Sequence, residues 1–479
     1  MSVGKPPQPF AFLPQWLITS RPDNNTLVYG SDGYCTNSWS EAGCTAFRGG
    51  KYNQLASTTR KPAGPDTHPA DNSSIELDWV TDSLTLNRNV TLEEFPLGVA
   101  LADRGAEGYH PRVALGLGVD STVLKALKAS GQIASRSWAM FWGRTGATEG
   151  SQLDGNFVFG GYDRAKISGE GYTQRISYSK TECPSGLLVT ITDLVLNFSN
   201  GTNESLFDDV QSTAMSACIV PDYPVLMTLP NDPYFYKFEA LTQASDFSRS
   251  FGINYYSMLY DEGTEPYTGD FTIKLSSGLS VRIPNDQLIV PEPTIDVETG
   301  KPAANVSATN LVINAIQEVN ADDLPQLGKQ FLSSAYLLVN QDASEFTVWA
   351  ANPTRDQDLV GVDTRNTVVE EFCAKNAPLG SSGSSPSDSP ESNGAPTSSK
   401  SLSGGAIAGI VIGAVAGIAI LAAGLFLYIS KRKKAGSATS STQLSPKREP
   451  ADAPYARYHA QELDGVVVVR PQPQMQELA

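Results

Sequence analysis

The sequence predicts a mainly β ectodomain joined to a single C-terminal transmembrane helix. Three observations carry that prediction. Short alternating apolar runs fill residues 1–373, one run of 24 residues near the C-terminus carries no charge, and a Ser/Pro/Gly-rich stretch separates the two. The alternating runs include SLTLNRNVTLEEFPLGVAL at 83–101, NFVFGGYD at 156–163, GLLVTITDLVLNFSNGT at 186–202, FTIKLSSGLSVRIP at 271–284, AYLLVNQD at 335–342 and EFTVWAAN at 345–352. Period-two alternation punctuated by Gly, Asn, Asp and Pro is the pattern of antiparallel strands with one buried face. Helical periodicity is sparse, with 121–130 (STVLKALKAS) the clearest case. Residues 1–376 exceed a usual single β domain, so two lobes are expected, 1–168 and 169–376. Residues 377–403 cannot bury a core and read as an extended stalk.

Residues 404–430 are the expected transmembrane helix, because a bilayer core of about 30 Å takes about 20 apolar residues as helix. Lys431, Arg432, Lys433 and Lys434 follow it, which puts residues 431–479, read as a disordered tail, in the cytosol. Seven N-x-S/T sequons, at Asn24, Asn72, Asn89, Asn197, Asn200, Asn203 and Asn305, all precede the helix, as expected for an outer or luminal glycoprotein portion. All five cysteines precede it too, which suits an oxidising compartment. Cys35 and Cys44 are near enough to close a short loop, and Cys183 pairs with Cys218 unless Cys218 takes Cys373 instead. Gly405, Gly409, Gly413 and Gly417 recur every four residues, a small-residue stripe through which two such helices would approach as a homodimer. The expected location is the plasma membrane or another secretory-pathway membrane. Residues 1–5 (MSVGK) have no apolar run, so a signal peptide is expected to be missing from this sequence.

Composition excludes several functions. The net charge is −16, and the tail from Lys431 carries +3, so −19 lies before it. That balance opposes nucleic acid as a partner. Three His and no CxxC argue against a zinc site, and no GxSxG elbow accompanies a His. No cofactor is expected.

Several segments resemble the pepsin-like aspartic peptidases, particularly fungal members. Residues 2–10 (SVGKPPQPF) are similar to the first-strand signature of that family. Residues 44–53 (CTAFRGGKYN) with Ser57 to Thr59, 81–86 (TDSLTL) and 114–118 (ALGLG) resemble successive elements of its first lobe. Residues 156–169 (NFVFGGYDRAKISG) resemble the hinge strand, and 327–340 (LGKQFLSSAYLLVN) with 345–350 (EFTVWA) resemble the closing signature of the second lobe. The resemblance covers nearly all of 2–373 in the correct order. It implies a bilobal double β-barrel with a cleft between the lobes.

The resemblance also implies two catalytic Asp, each in an Asp-Thr/Ser-Gly turn, close enough to share a proton. This sequence departs from that pattern at both places. In the first lobe the expected position falls on Gln15 or Pro14, within PQWLITS, and the next acid is Asp23. In the second lobe, 217–230 (ACIVPDYPVLMTLP) puts Pro221 at the Asp position, with Asp222 one residue on and Tyr223 where Gly is needed. The flap tyrosine of the family has only Trp79 as an aromatic counterpart. One acid is not a coupled pair. The expectation is therefore a pseudoenzyme, a catalytically silent pepsin-like cell-surface glycoprotein whose cleft binds peptide, glycan or protein ligands. Two alternatives are a membrane-anchored aspartic-type endopeptidase using acids such as Asp23 and Asp222, and a single-pass surface receptor or sensor.

Overall fold

A computed structural model describes residues 1–16, 25–30, 40–64, 77–100, 113–145, 152–178, 183–210, 212, 214–244 and 247–369. The chain is mainly β, as the alternation predicts. In the hairpin Leu77–Thr85 with Thr91–Ala100, the buried residues Leu92, Phe95, Leu97 and Val99 supply the apolar face. Leu188–Asn197, Asp270–Leu275 and Ser280–Ile283 form the corresponding run of antiparallel neighbours later in the chain. The helix Thr122–Ala129 falls on the predicted segment and is capped by Ser121, whose Oγ accepts from the Leu124 N–H at 3.2 Å.

Two eight-stranded sheets share one local arrangement. In the first, Leu13–Gln15 runs parallel to Ala114–Gly116. Thr26–Tyr29 lies antiparallel on the other side of that strand and is parallel to Thr91–Ala100. In the second, Met215–Ile219 runs parallel to Gln326–Leu327. Met227–Pro230 lies antiparallel beyond it and is parallel to Ile313–Ile316. Equivalent residues about 200 apart in the chain hold the same place: Leu27 faces Ala114 and Met227 faces Leu327.

A third, five-stranded antiparallel sheet joins distant parts of the chain. Its order is Leu153–Phe159, Ser137–Arg144, Ala335–Asn340, Glu345–Ala351, Ile167–Arg175. Both faces are covered, so its central strands lack polar alternation. Trp138, Met140, Leu337, Val339, Phe346 and Val348 face the main core, while Ala139, Phe141, Tyr336, Leu338 and Trp349 fill a second cluster on the opposite face. Period-two side-chain direction with apolar residues at both phases gives this pattern.

A long hairpin, Ile289–Ile295 with Pro302–Leu311, ends against the helix Glu41–Arg48. Ser40 caps that helix and donates its Oγ to Val297 O. The approach is so close that a Cβ on Gly43 would lie 2.4 Å from Val297 O, so only glycine fits.

The disulfide Cys183–Cys218 is present, which decides between the two pairings open to Cys218. Cys44 is also disulfide-bonded, to a partner outside the described residues. Asn89, Asn200, Asn203 and Asn305 are exposed, and Asn197 is half-buried. Among the described residues no helix is long and apolar enough to cross a membrane. The expected helix 404–430 with its glycine stripe, the stalk, the tail, Cys35, Cys373, Asp23, Asn24 and Asn72 all lie outside the described residues.

Candidate functional site

Four of the segments quoted above meet in a polar cluster inside the first sheet. Asp82, fully buried, accepts from Tyr52 Oη at 2.6 Å, Thr59 Oγ1 at 2.5 Å and the Ser83 N–H at 2.8 Å. Gly4 packs against it, since a Cβ there would lie 2.7 Å from Ser57 Oγ and 3.0 Å from Asp82 Oδ2. Burial alone would raise the Asp82 pKa. Hydrogen bonds from Thr59, Tyr52, Ser57 and the Ser83 amide outweigh it and hold the carboxyl below its ordinary value. Tyr52 moves the other way, because burial and the neighbouring carboxylate both oppose its ionisation. Every acceptor site of Asp82 is engaged within the core, so the cluster is structural.

The junction between the two large sheets is where Pro14, Gln15, Pro221 and Asp222 lie. Gln15 ends the strand Leu13–Gln15 opposite Gly116, and its carbonyl accepts from Leu117 N at 2.8 Å. Pro14 and Gln15 are half-buried and Pro221 is buried. On the other side the chain leaves Met215–Ile219 and turns through Pro221-Asp222-Tyr223-Pro224. The Tyr223 N–H closes the turn on Val220 O at 3.0 Å, and the Lys329 N–H clamps Tyr223 O at 2.8 Å. Gly328 permits that clamp: a Cβ there would lie 2.2 Å from Val225 O and 2.7 Å from Tyr223 O.

This turn brings Asp222 to Gln15. The Gln15 side chain and the Lys329 ammonium both stand close enough to the Asp222 carboxyl to favour its charged form. Asp222 is 1% exposed and Lys329 2%. Burial pushes the Asp222 carboxyl up to about 6, against the opposing pull of its own backbone N–H, Gln15 and Lys329. Lys329 Nζ also lies 5.2 Å from the centre of the Trp142 ring, a cation–π contact that favours a desolvated ammonium.

Two reciprocal links cross the junction. Asp222 reaches back to Gln15, and the residue after Gln15, Trp16, reaches forward to donate its Nε1–H to Ser185 O at 2.7 Å. Ser185 sits beside the Cys183–Cys218 bridge, its Oγ 3.1 Å from Cys218 Sγ. Tyr223 extends the network. Its hydroxyl accepts from Asn314 Nδ2 at 3.0 Å, and Asn314 Oδ1 accepts from Arg249 Nη1 at 2.6 Å. Burial raises the Tyr223 phenol and lowers the Arg249 guanidinium, since each loses water from its charged form. Sequence reasoning named Pro14, Gln15, Pro221 and Asp222 but missed Lys329, Trp142, Trp16 and Ser185. Lys329 carried a signal, because it follows Gly328 directly in the LGK of the closing segment.

Chemically, the junction pairs one carboxyl with an amide and an ammonium. No second carboxyl is among the groups that shift Asp222 among the described residues. A pKa near 6 suits proton transfer, but a general base has to touch the proton it takes. A carboxyl 1% exposed, enclosed beside Gln15 and Lys329, does not present itself to a substrate. Trp79, the aromatic residue singled out in the sequence, lies on the strand Leu77–Thr85 and packs beside Gly98. No family model matches the chain, and no curated protein matches it.

Proposed function

We propose that this chain is a catalytically silent, pepsin-like cell-surface glycoprotein whose inter-lobe cleft binds an extended peptide. The observation that carries the reading is the pairing of the buried Asp222 carboxyl with an amide, Gln15, where hydrolysis by an aspartic dyad needs a second carboxyl. The bilobal reading is supported by the shared four-strand arrangement of the two large sheets and by the sheet built from distant chain segments. A β-walled cleft holds an extended chain through main-chain hydrogen bonds without a catalyst. The membrane anchor, the stalk and the glycans belong to this proposal on the strength of the sequence.

The test is proteolysis by the full chain at acidic pH, with and without a transition-state-analogue inhibitor of aspartic peptidases, beside the Asp222→Ala variant. The expected result is no cleavage by either protein, with saturable binding of an extended peptide library. Inhibitor-sensitive cleavage that disappears in Asp222→Ala establishes instead an endopeptidase with unconventional acids. Loss of cellular function on deleting only residues after Lys434, with the outer portion intact, favours a receptor.

A further inference from the structure

The five-stranded sheet carries a second candidate site that shares no residue with the Gln15–Asp222 junction. Beside its outer strand, Leu153–Phe159, lies a cavity of about 450 Å³. No apolar side chain lines it. Its two walls have opposite character.

One wall accepts. Asp154 and Asn156 stand two residues apart on the strand and so share a face. The Asn156 amide is oriented by Asp163, a fully buried carboxylate that accepts from Asn156 Nδ2 at 2.8 Å and from the Ala165 and Asp358 N–H groups. A carboxylate only accepts, so the amide nitrogen faces it and Asn156 Oδ1 is left as a buried acceptor with no donor among the described residues. Asp154 is exposed and forms no ion pair among the described residues.

A second set of lining residues donates. Lys166 is 3% exposed, and its ammonium donates to Thr354 O and, at 2.8 Å, to Asp356 O. Both partners are neutral, and an ammonium has a third N–H to give. A buried cation with neutral partners favours an anion nearby. Arg355, exposed at the rim, forms no ion pair among the described residues.

We propose that this cavity binds a free, neutral polar α-amino acid as its zwitterion. The ammonium is received by Asp154, and the carboxylate by Lys166 and Arg355. The side-chain amides of Gln152 and Gln357, which also line the cavity, suit a polar side chain. An anion alone would meet Asp154, and a cation alone would meet Lys166 and Arg355. Opposed charges on the ligand satisfy both walls, and the volume lies in the range of ordinary small-molecule sites.

Calorimetric titration of the full chain with l-glutamine and l-serine tests the assignment. N-acetyl-l-glutamine, l-glutaminamide and glucuronate serve as the controls lacking the ammonium, the carboxylate and the amino group. The expected result is saturable binding of at least one amino acid at a Kd of about 1 mM or tighter, with none of the three controls bound. Arg355→Ala and Asp154→Ala, both at exposed positions, each weaken binding at least about tenfold with the melting temperature unchanged. Absence of saturable binding by both amino acids overturns the proposal. So does equal binding of the N-acetyl compound or glucuronate, or an affinity untouched by both variants.

Discussion

Replacing Asp222 by Asn removes a buried charge while keeping the shape of the side chain, and the effect depends on pH in a way the structure dictates. The carboxyl rises from its ordinary 3.8 to about 6 in the folded chain. At about 1.4 kcal/mol per unit, that shift of about two units opposes folding by about 3 kcal/mol once the group is ionised in both states. Below about pH 4 it is neutral in both states and contributes nothing. Between about pH 4 and about pH 6 the unfolded chain releases the proton first, so wild-type stability falls relative to a variant that cannot ionise. Above about pH 6 the full difference persists. The attraction of Lys329 for the ionised carboxyl is already contained in that value of about 6, since it pulls against the burial. Urea denaturation of both proteins from about pH 4 to about pH 8 reads the effect. The expected outcome is a variant that gains on wild type by about 3 kcal/mol across the interval and then holds level. A gap that stays flat with pH, or one that moves against the variant, refutes the account of Asp222 as a desolvated acid.

Asp82 gives the opposite slope. Its folded pKa is depressed, so its stabilisation is present above the ordinary carboxylate range and disappears as pH falls through the folded value. Asp82→Ala leaves the Tyr52, Thr59 and Ser83 donors without their acceptor, and chemical denaturation at neutral pH is expected to register a loss of about 3 kcal/mol. Replacing Cys183 and Cys218 together by Ser opens a link across a sequence separation of 35, for which loop-closure entropy gives about 4 kcal/mol, read as a lower melting temperature in calorimetry. Gly43→Ala drives a Cβ into Val297 O and is expected to lift the hairpin from the helix Glu41–Arg48. Hydrogen exchange at 296–301 should accelerate while the sheet containing Ser137–Arg144 keeps its protection.

The strands were legible because each half-buried strand writes its face into the sequence. Leu92, Phe95, Leu97 and Val99 are an example: the exposed Glu93 and Glu94 among them mark the other face. The Cys183–Cys218 pair was legible only as one of two options, since spacing does not tell which sulfurs meet. The strands Ser137–Arg144 and Ala335–Asn340 were readable as apolar runs, yet nothing in them announced that they pair with one another, Leu337 beside Met140 and Val339 beside Trp138. Pairing over such a distance depends on two covered faces that exist only after the rest of the chain has folded.

The sequence by itself determined the mainly β character and the helix at Thr122–Ala129, and it singled out Gln15, Pro221 and Asp222. Counting along an extended strand would turn Asp222 away from the junction. The tertiary structure decided otherwise, because Asp222 lies on a turn bounded by Pro221 and Pro224 and held by the Lys329 amide, not on a strand. It also decided that Gln15 and Lys329 stand beside that acid, with the Trp142 ring against Lys329. Their contacts cross from one sheet to another, and burial, which sets the charge of Asp222, is a property of the assembled core and not of the local sequence.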